Sequence, residues 1–196
     1  MGSCLASTVV KNAQAEIGYK EGKNNWTIYA QELDNVEYFN TKKQNVAWCS
    51  TFCCDMVFRS CTSDTLSGKK YDALYFTYQP SRDNCACGCK YCAGYFRSHN
   101  AWYTEGKAGD FVFYGTKGNE THQGIVERVY GDGSIDAIEG NHGDAVARVH
   151  RTKSEIAGFG RPRYDSEPAV TPKPNKVTQA EALEALKVLQ NYVQGN

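Results

Sequence analysis

His122-Gln123-Gly124-Ile125-Val126-Glu127-Arg128-Val129-Tyr130-Gly131-Asp132-Gly133-Ser134-Ile135-Asp136-Ala137-Ile138-Glu139 holds two short apolar runs around a Gly-Asp-Gly segment. Two apolar runs, one with Ile125, Val126 and Val129 and the other with Ile135, Ala137 and Ile138, flank Gly131 to Ser134, and glycine and aspartate are the residues that tight turns favour. The pattern predicts a β-hairpin. Folding it about Gly131 to Gly133 pairs residues whose numbers sum to about 264, which sets His122 near Asn141 and close to Glu139. Outward from the hairpin, Ala108-Gly109-Asp110 is a turn into a short buried strand, Phe111 to Tyr114, ended by Gly115. On the other side, Gly140-Asn141-His142-Gly143 turns into Ala145 to Arg151, and Ile156 to Gly160 is a last strand before Arg161-Pro162.

Upstream the apolar period changes. Val9, Val10, Ala13 and Ile17 recur at helical spacing between Ser7 and Gly18, with Ser7 or Thr8 as cap and Gly18 as stop. A polar loop from Tyr19 to Asn25 leads to a short helical piece from Trp26 to Leu33. The third helix is central. In Asn45-Val46-Ala47-Trp48-Cys49-Ser50-Thr51-Phe52-Cys53-Cys54-Asp55-Met56-Val57, the series Trp48, Phe52, Met56 and Cys49, Cys53, Val57 form neighbouring apolar stripes, so a helix running to about Cys61 should lie inside the domain, with Asn45 as its cap. From Thr62 to Gly106 no period is sustained, apart from what looks like the start of a helix at Tyr91 to Phe96. Helices first and hairpin-ordered strands afterwards predict an α+β domain, N-terminal helices packed on an antiparallel sheet.

The chain of 196 residues, 41% hydrophobic, has room for one ordinary domain over 1–164 plus an appendage. A proline-spaced linker follows over 165–177, and then an amphipathic helix over 178–196 with Ala182, Leu186, Leu189 and Val193 on one stripe, suited to homo-oligomerisation or to being the fragment of a truncated module. Twenty-two basic residues balance 22 acidic ones, so no global field points to nucleic acid or an anionic membrane. No run of about 18 apolar residues suggests a membrane span, and Met1 to Ser7 lacks the charged start and apolar middle of a signal peptide, so synthesis in the cytoplasm is expected.

Nine cysteines is a large and odd number, and at least one free thiol is expected. Cys49 has the chemistry to be a nucleophile. In the first turn of a helix it sits among unpaired amides and at the positive end of the dipole, both of which favour thiolate over thiol. Cys53 and Cys54 on the same helix read as packing residues. Cys85, Cys87, Cys89 and Cys92 form a second concentration, open to three readings: a compressed zinc site, a disulfide within the cluster or to Cys61, or ordinary thiols in a tight turn.

A thiolate needs a base, and four histidines are candidates: His99, His122, His142 and His150. His99 lies in the irregular middle and His150 between basic residues, where solvated side chains are expected. His122, beside Gly124, converges with Glu139 and Asn141 as two orienting groups, and His142 is its rival at the same turn. The Cys49 amide at the helix start is the natural oxyanion donor.

Trp48-Cys49-x-x-Phe52, Gly109-Asp110-Phe111-Val112-Phe113, His122-x-Gly124-Ile125-Val126 and Ile138-Glu139-Gly140-Asn141, taken together, resemble in order and spacing the CHAP family of cysteine, histidine-dependent amidohydrolases/peptidases, in particular the CHAP domains of bacteriophage endolysins. Gly158 to Pro162 is similar to their closing strand. The resemblance implies a papain-like fold in which Cys49 attacks an amide, His122 is its base, and Glu139 and Asn141 orient the histidine, with Tyr19 as a second oxyanion candidate. It implies peptidoglycan as substrate, cut as an N-acetylmuramoyl-L-alanine amidase or as a stem or cross-bridge endopeptidase, with the enzyme made in the host cytoplasm and acting on the cell wall. No cofactor is expected. Some CHAP domains bind calcium through an aspartate-rich loop, and Asp34-Asn35-Val36-Glu37 lacks that pattern. Two alternatives stand beside this: the same site in an antibacterial toxin delivered to rival cells, and a zinc-stabilised binding module in which Cys49 is merely core.

Overall fold

A computed structural model describes residues 1–168. Five α-helices precede all the strands of the sheet: α1 Ala6–Ala15, α2 Ile28–Asn35, α3 Cys49–Ser60, α4 Leu66–Phe76 and α5 Cys89–Ser98. The strands are β1 Trp102–Tyr103, β2 Phe111–Thr116, β3 Asn119–Val129, β4 Ile135–Glu139, β5 Ala147–Arg151 and β6 Ile156–Gly160. They form one six-stranded sheet in the order β1-β6-β2-β3-β4-β5, with every neighbouring pair antiparallel. The α+β class and the layering of helices on an antiparallel sheet are therefore as expected. The linker beyond Pro168 and the helix expected over 178–196, with the oligomer it would mediate, lie outside the described residues.

The hairpin folds as its turn residues dictate. Ile125 pairs with Ile138, Val126 with Ala137, and after a bulge Arg128 with Asp136 and Val129 with Ile135. Those pairs sum to 263 before the bulge and 264 after it. Because side chains alternate along a strand, β2 sends Phe111 and Phe113 into the main core and Val112 and Tyr114 into a smaller cluster with Val126, Ile135, Ala137 and Phe159.

Helix α3 is the centre of the main core. All of its twelve residues are buried except Arg59, so it is enclosed on every side rather than along two stripes. Trp48, Phe52 and Met56 are completely buried, each worth about 1.5–3 kcal/mol of transfer free energy. Arg59 emerges where the helix leaves the core and gathers Glu16 at 2.7 Å, Glu32 at 2.9 Å and the buried Asp55 at 2.7 Å.

Several sequence expectations are corrected. Asn45 does not cap α3: it adopts a left-handed turn (φ 62°), and the helix begins four residues later, with Trp48 at the cap position and no side-chain cap. Neither Ser7 nor Thr8 caps α1, which follows Leu5 and ends at Ala15, before Gly18. The stretch expected to be irregular contains two full helices. Helix α4 is capped by Thr65, whose hydroxyl accepts from the Gly68 amide at 3.0 Å. Helix α5 buries Cys89, Cys92, Ala93 and Phe96 on one face.

Candidate active site

The site forms where the uncapped start of α3 meets β3. Ser50 donates its hydroxyl to Gln123 Oε1 at 2.9 Å, inside the core, and this bond ties together the neighbours of Cys49 and His122. With no side chain capping α3, the amide of Cys49, its first residue, has no helical acceptor.

His122 and Glu139 meet across the hairpin as its register requires. His122 Nε2 lies 2.9 Å from Glu139 Oε2. Gly124, next to Glu139 on the pairing line, makes the approach possible, since a Cβ there would lie 2.8 Å from Glu139 Cγ and 3.0 Å from the Ile138 carbonyl. Glu139 is fully buried and is held from the other side by Arg151, whose Nε reaches Oε1 at 2.9 Å and whose Nη2 reaches Oε2 at 2.7 Å. Tyr114 stacks on the His122 ring, centroids 5.7 Å apart at 22°, and carries the Arg151 guanidinium 4.6 Å from its own centroid.

These contacts set the charges. Burial works against an ionised Glu139, but hydrogen bonds from His122 and Arg151 outweigh it and bring the carboxyl down to about 2. Burial likewise works against a charged His122, yet its hydrogen bonds with Cys49 and Glu139 raise it to about 9. Since the carboxylate can only accept, Nε2 carries a proton and Nδ1 is the nitrogen left for Cys49. Cys49 is held well below the ordinary thiol range, by a hydrogen bond from Cys89 first and then, against the effect of burial, by His122. The two sulfurs are 3.5 Å apart. The charge of His122 decides which of them ionises: Cys49 is the thiolate, and Cys89 keeps its proton as donor.

Of the residues expected at the site, Cys49, His122 and Glu139 come together. Asn141 does not orient the histidine; it holds a left-handed position in the turn after β4 (φ 57°) and forms no hydrogen bond with His122. The rival His142 also touches Glu139, Nδ1 to Oε2 at 3.3 Å, but its side chain is 44% exposed. Tyr19 accepts the Ile28 amide at 3.1 Å with its hydroxyl, at the start of α2, and no hydrogen bond links it to Cys49. His99 and His150 lie at the surface, as expected.

The zinc reading of the second cysteine group does not hold, because the thiols diverge. Cys85 donates to the Asp83 carbonyl, Cys87 to the Cys85 carbonyl, Cys89 turns to Cys49, and Cys92 points to the Gln123 amide. Nor is any disulfide formed: all nine cysteines are free, and Cys61 donates to the Val57 carbonyl. Among the described residues one group of side chains has ligand atoms close enough to share a metal, His122, Glu139 and His142, within 4.8 Å of one another. Arg151 already occupies both oxygens of that carboxylate with a fixed positive charge, so the triple is the ion-paired heart of the site and not a cation cage.

No family model matches the chain, and no curated protein matches it. Among solved structures, that of Ly7917 is similar, with 17% sequence identity and a TM-score of 0.43 over 81% of this chain and 62% of that one. The chain thus spans less than two thirds of that neighbour's length.

Three participants escaped the sequence reading. Arg151 reaches Glu139 only through the length of its side chain, since its backbone partner on β4 is Ile135. Tyr114 faces His122 through the β2–β3 register, which has an irregularity beside it. Cys89 had a signal, its place in a sulfur-rich segment, but nothing in the spacing aimed it at Cys49.

Proposed function

We propose that this chain is a cysteine-dependent peptidoglycan hydrolase with a papain-like CHAP fold, of the kind found in bacteriophage endolysins. The observation that carries the reading is the convergence of Cys49, His122 and Glu139: a thiol ionised beside a half-buried imidazolium that a buried carboxylate orients. The substrate class comes from the motif resemblance, and the bond is an amide, either N-acetylmuramoyl-L-alanine or a peptide bond of the stem or cross-bridge. The site of action is the bacterial cell wall. Among the described residues no helix is long and apolar enough to cross a membrane.

The chemistry follows from the charges. The Cys49 thiolate adds to the amide carbonyl, and the oxyanion faces the free amide at the start of α3. His122, protonated at both nitrogens, gives its Nδ1 proton to the leaving amine while Nε2 stays on Glu139. The neutral imidazole then takes a proton from water, and hydroxide addition releases the acyl group. Glu139 keeps its charge throughout, because His122 and Arg151 hold it ionised.

Purified Gram-positive peptidoglycan is to be digested with the protein and with Cys49→Ala, and the released fragments identified by mass spectrometry. Cleavage by the unaltered protein alone is expected, with the new termini naming the bond: free stem peptides mean amidase, split cross-links endopeptidase. Equal cleavage by both would remove Cys49 from the mechanism.

A further inference from the structure

Two helices of this fold begin on a cysteine, α3 on Cys49 and α5 on Cys89, and their first residues face each other. Hydrolysis as proposed uses one thiol and gives the other nothing to do beyond donating a hydrogen bond. The other neighbouring thiols are sealed: Cys53, Cys54 and Cys92 are completely buried, and Cys4 and Cys61 are 0% and 1% exposed. Cys49 and Cys89 are each open to solvent by a small margin, 7% and 8%. A disulfide needs its sulfurs about 2.05 Å apart. At 3.5 Å the two sulfurs are already in contact and have about 1.5 Å to close. Cys89 is also 3.3 Å from the buried Ser50 hydroxyl, which holds its sulfur beside Cys49.

We propose that Cys49 and Cys89 form a reversible disulfide when the protein meets a hydroperoxide, and that this bond locks the nucleophile and protects it from irreversible oxidation. In the first step the Cys49 thiolate attacks the terminal oxygen of ROOH and the O–O bond breaks. Cys49 becomes a sulfenic acid, and the departing alkoxide takes the His122 proton to leave as ROH. In the second step His122 takes the Cys89 proton, the Cys89 sulfur attacks Cys49, and the S–O bond breaks. The hydroxide set free recovers that proton as water. Two thiols and one hydroperoxide thus give one disulfide, one alcohol and one water, a two-electron exchange that a dithiol such as dithiothreitol reverses. Cys49 reacts first because it is the ionised sulfur, and Cys89 resolves it because it lies next to it. Disulfide formation rests on this thiol geometry alone; only the accompanying loss of hydrolysis rests on the proposed function.

The test uses the full-length reduced protein, treated with hydrogen peroxide under native conditions, blocked with N-ethylmaleimide and digested with trypsin and chymotrypsin together. Cleavage after Trp48 and Phe52 isolates Cys49 in a tetrapeptide, and cleavage after Arg82 and Lys90 places Cys89 in the peptide from Asp83 to Lys90. The expected product is these two peptides joined, with maleimide on Cys85 and Cys87, lighter by two hydrogens than the sum of the parts so blocked, the bond assigned to Cys89 by fragmentation, and the peptides separated again by dithiothreitol. In Cys89→Ser the joined peptide should be absent and Cys49 should carry sulfinic or sulfonic acid that dithiothreitol does not remove. The proposal is overturned if Cys49 of the unaltered protein is overoxidised, or bonded to another cysteine, while Cys89 is recovered as its maleimide adduct. That result needs no variant, so a Cys89→Ser chain that failed to fold would leave the test intact. Wall hydrolysis should fall with the fraction of joined peptide and return on reduction. If the reduced protein cuts no wall yet the joined peptide forms, the hydrolase reading fails and the disulfide stands.

Discussion

At the scale of single residues the site is a chain of charges, Arg151 to Glu139 to His122 to Cys49, and each link fixes the next. A thiolate–imidazolium pair is active between two limits. Below the lowered range of Cys49 the pair gains a proton and the nucleophile is lost; above about 9 His122 loses the proton that the leaving amine needs. The kcat/KM profile for wall fragments is therefore expected to be a broad bell with its alkaline limb near 9. Alkylation of Cys49 by iodoacetamide should persist well below the ordinary thiol range of about 8.5. Glu139→Gln keeps the shape and removes the charge, so the alkaline limb should move down toward the ordinary histidine value of 6.5 and kcat/KM should fall on the order of 10²-fold. An unmoved limb would mean that Glu139 does not set the charge of His122. Stability follows the same groups with opposite signs. His122, raised on folding, contributes fully below 6.5 and loses that contribution as pH rises through about 9. Glu139, lowered on folding, contributes fully above 4.5 and loses it as pH falls toward about 2. The His122–Glu139 contact was legible because cross-strand neighbours follow from counting back from a glycine turn. The Arg151 link was not, because a long side chain that reaches along the sheet leaves no mark in a strand's alternation.

At the scale of elements, two glycines on either side of Glu139 do different work, and variants of them should separate packing from catalysis. A Cβ at Gly140 would lie 2.5 Å from Phe52 Cβ and 2.8 Å from the Trp48 ring, both immobile in the core, so Gly140→Ala forces β4 away from α3. Overpacking of this kind costs about 1–3 kcal/mol, and the urea midpoint should fall accordingly. A Cβ at Gly124 meets the Glu139 side chain and the Ile138 carbonyl instead, and the side chain can give way. Gly124→Ala should therefore lose activity out of proportion to its stability, since the yielding group is the one that orients His122. If both variants lost stability and activity in the same ratio, Gly124 would have no special place beside the site. The same contrast explains which elements the sequence disclosed. The β3–β4 hairpin announces itself by alternation around Gly131 and Gly133, whereas α4 buries Asp72, Ala73, Leu74 and Phe76 almost consecutively and exposes Leu66, Tyr71 and Tyr75, so no apolar stripe marks it. Helix α3 was found for its apolar residues, but its start was placed too early because Asn45, a good capping residue, sits in a turn that comes before the helix.

At the scale of the whole molecule, α3 divides the fold into a chemical end and a structural end. Its first residue is the proposed nucleophile; near its last turn the N-terminal segment is stitched down, with the Thr62 amide on the Ser3 carbonyl at 3.0 Å and the Cys4 thiol 4.0 Å from the Val57 carbonyl. The eight steps from Cys49 to Val57 put about 12 Å of helix between the two ends. Residues counted in the linker close this second end: Asp165 accepts the Ser3 hydroxyl at 2.7 Å and the Cys4 amide at 2.9 Å, and Glu167 accepts the Ser7 amide at 2.9 Å and its hydroxyl at 2.8 Å. Glu167 thereby supplies, from 160 positions away, the cap that Leu5 cannot give α1. Composition alone marked this segment as linker, since proline spacing is visible in a sequence and a carboxylate meeting a distant helix start is not. The double variant Asp165→Ala, Glu167→Ala should therefore melt a few degrees lower and exchange the first-turn amides of α1 faster. Its kcat/KM and the alkylation rate of Cys49 at 25 °C should match the unaltered protein, because the strap acts on the end of α3 away from the thiol. If alkylation of Cys49 changed along with the melting temperature, the two ends of α3 would be coupled and the helix could not be the rigid partition that the burial of all but Arg59 implies.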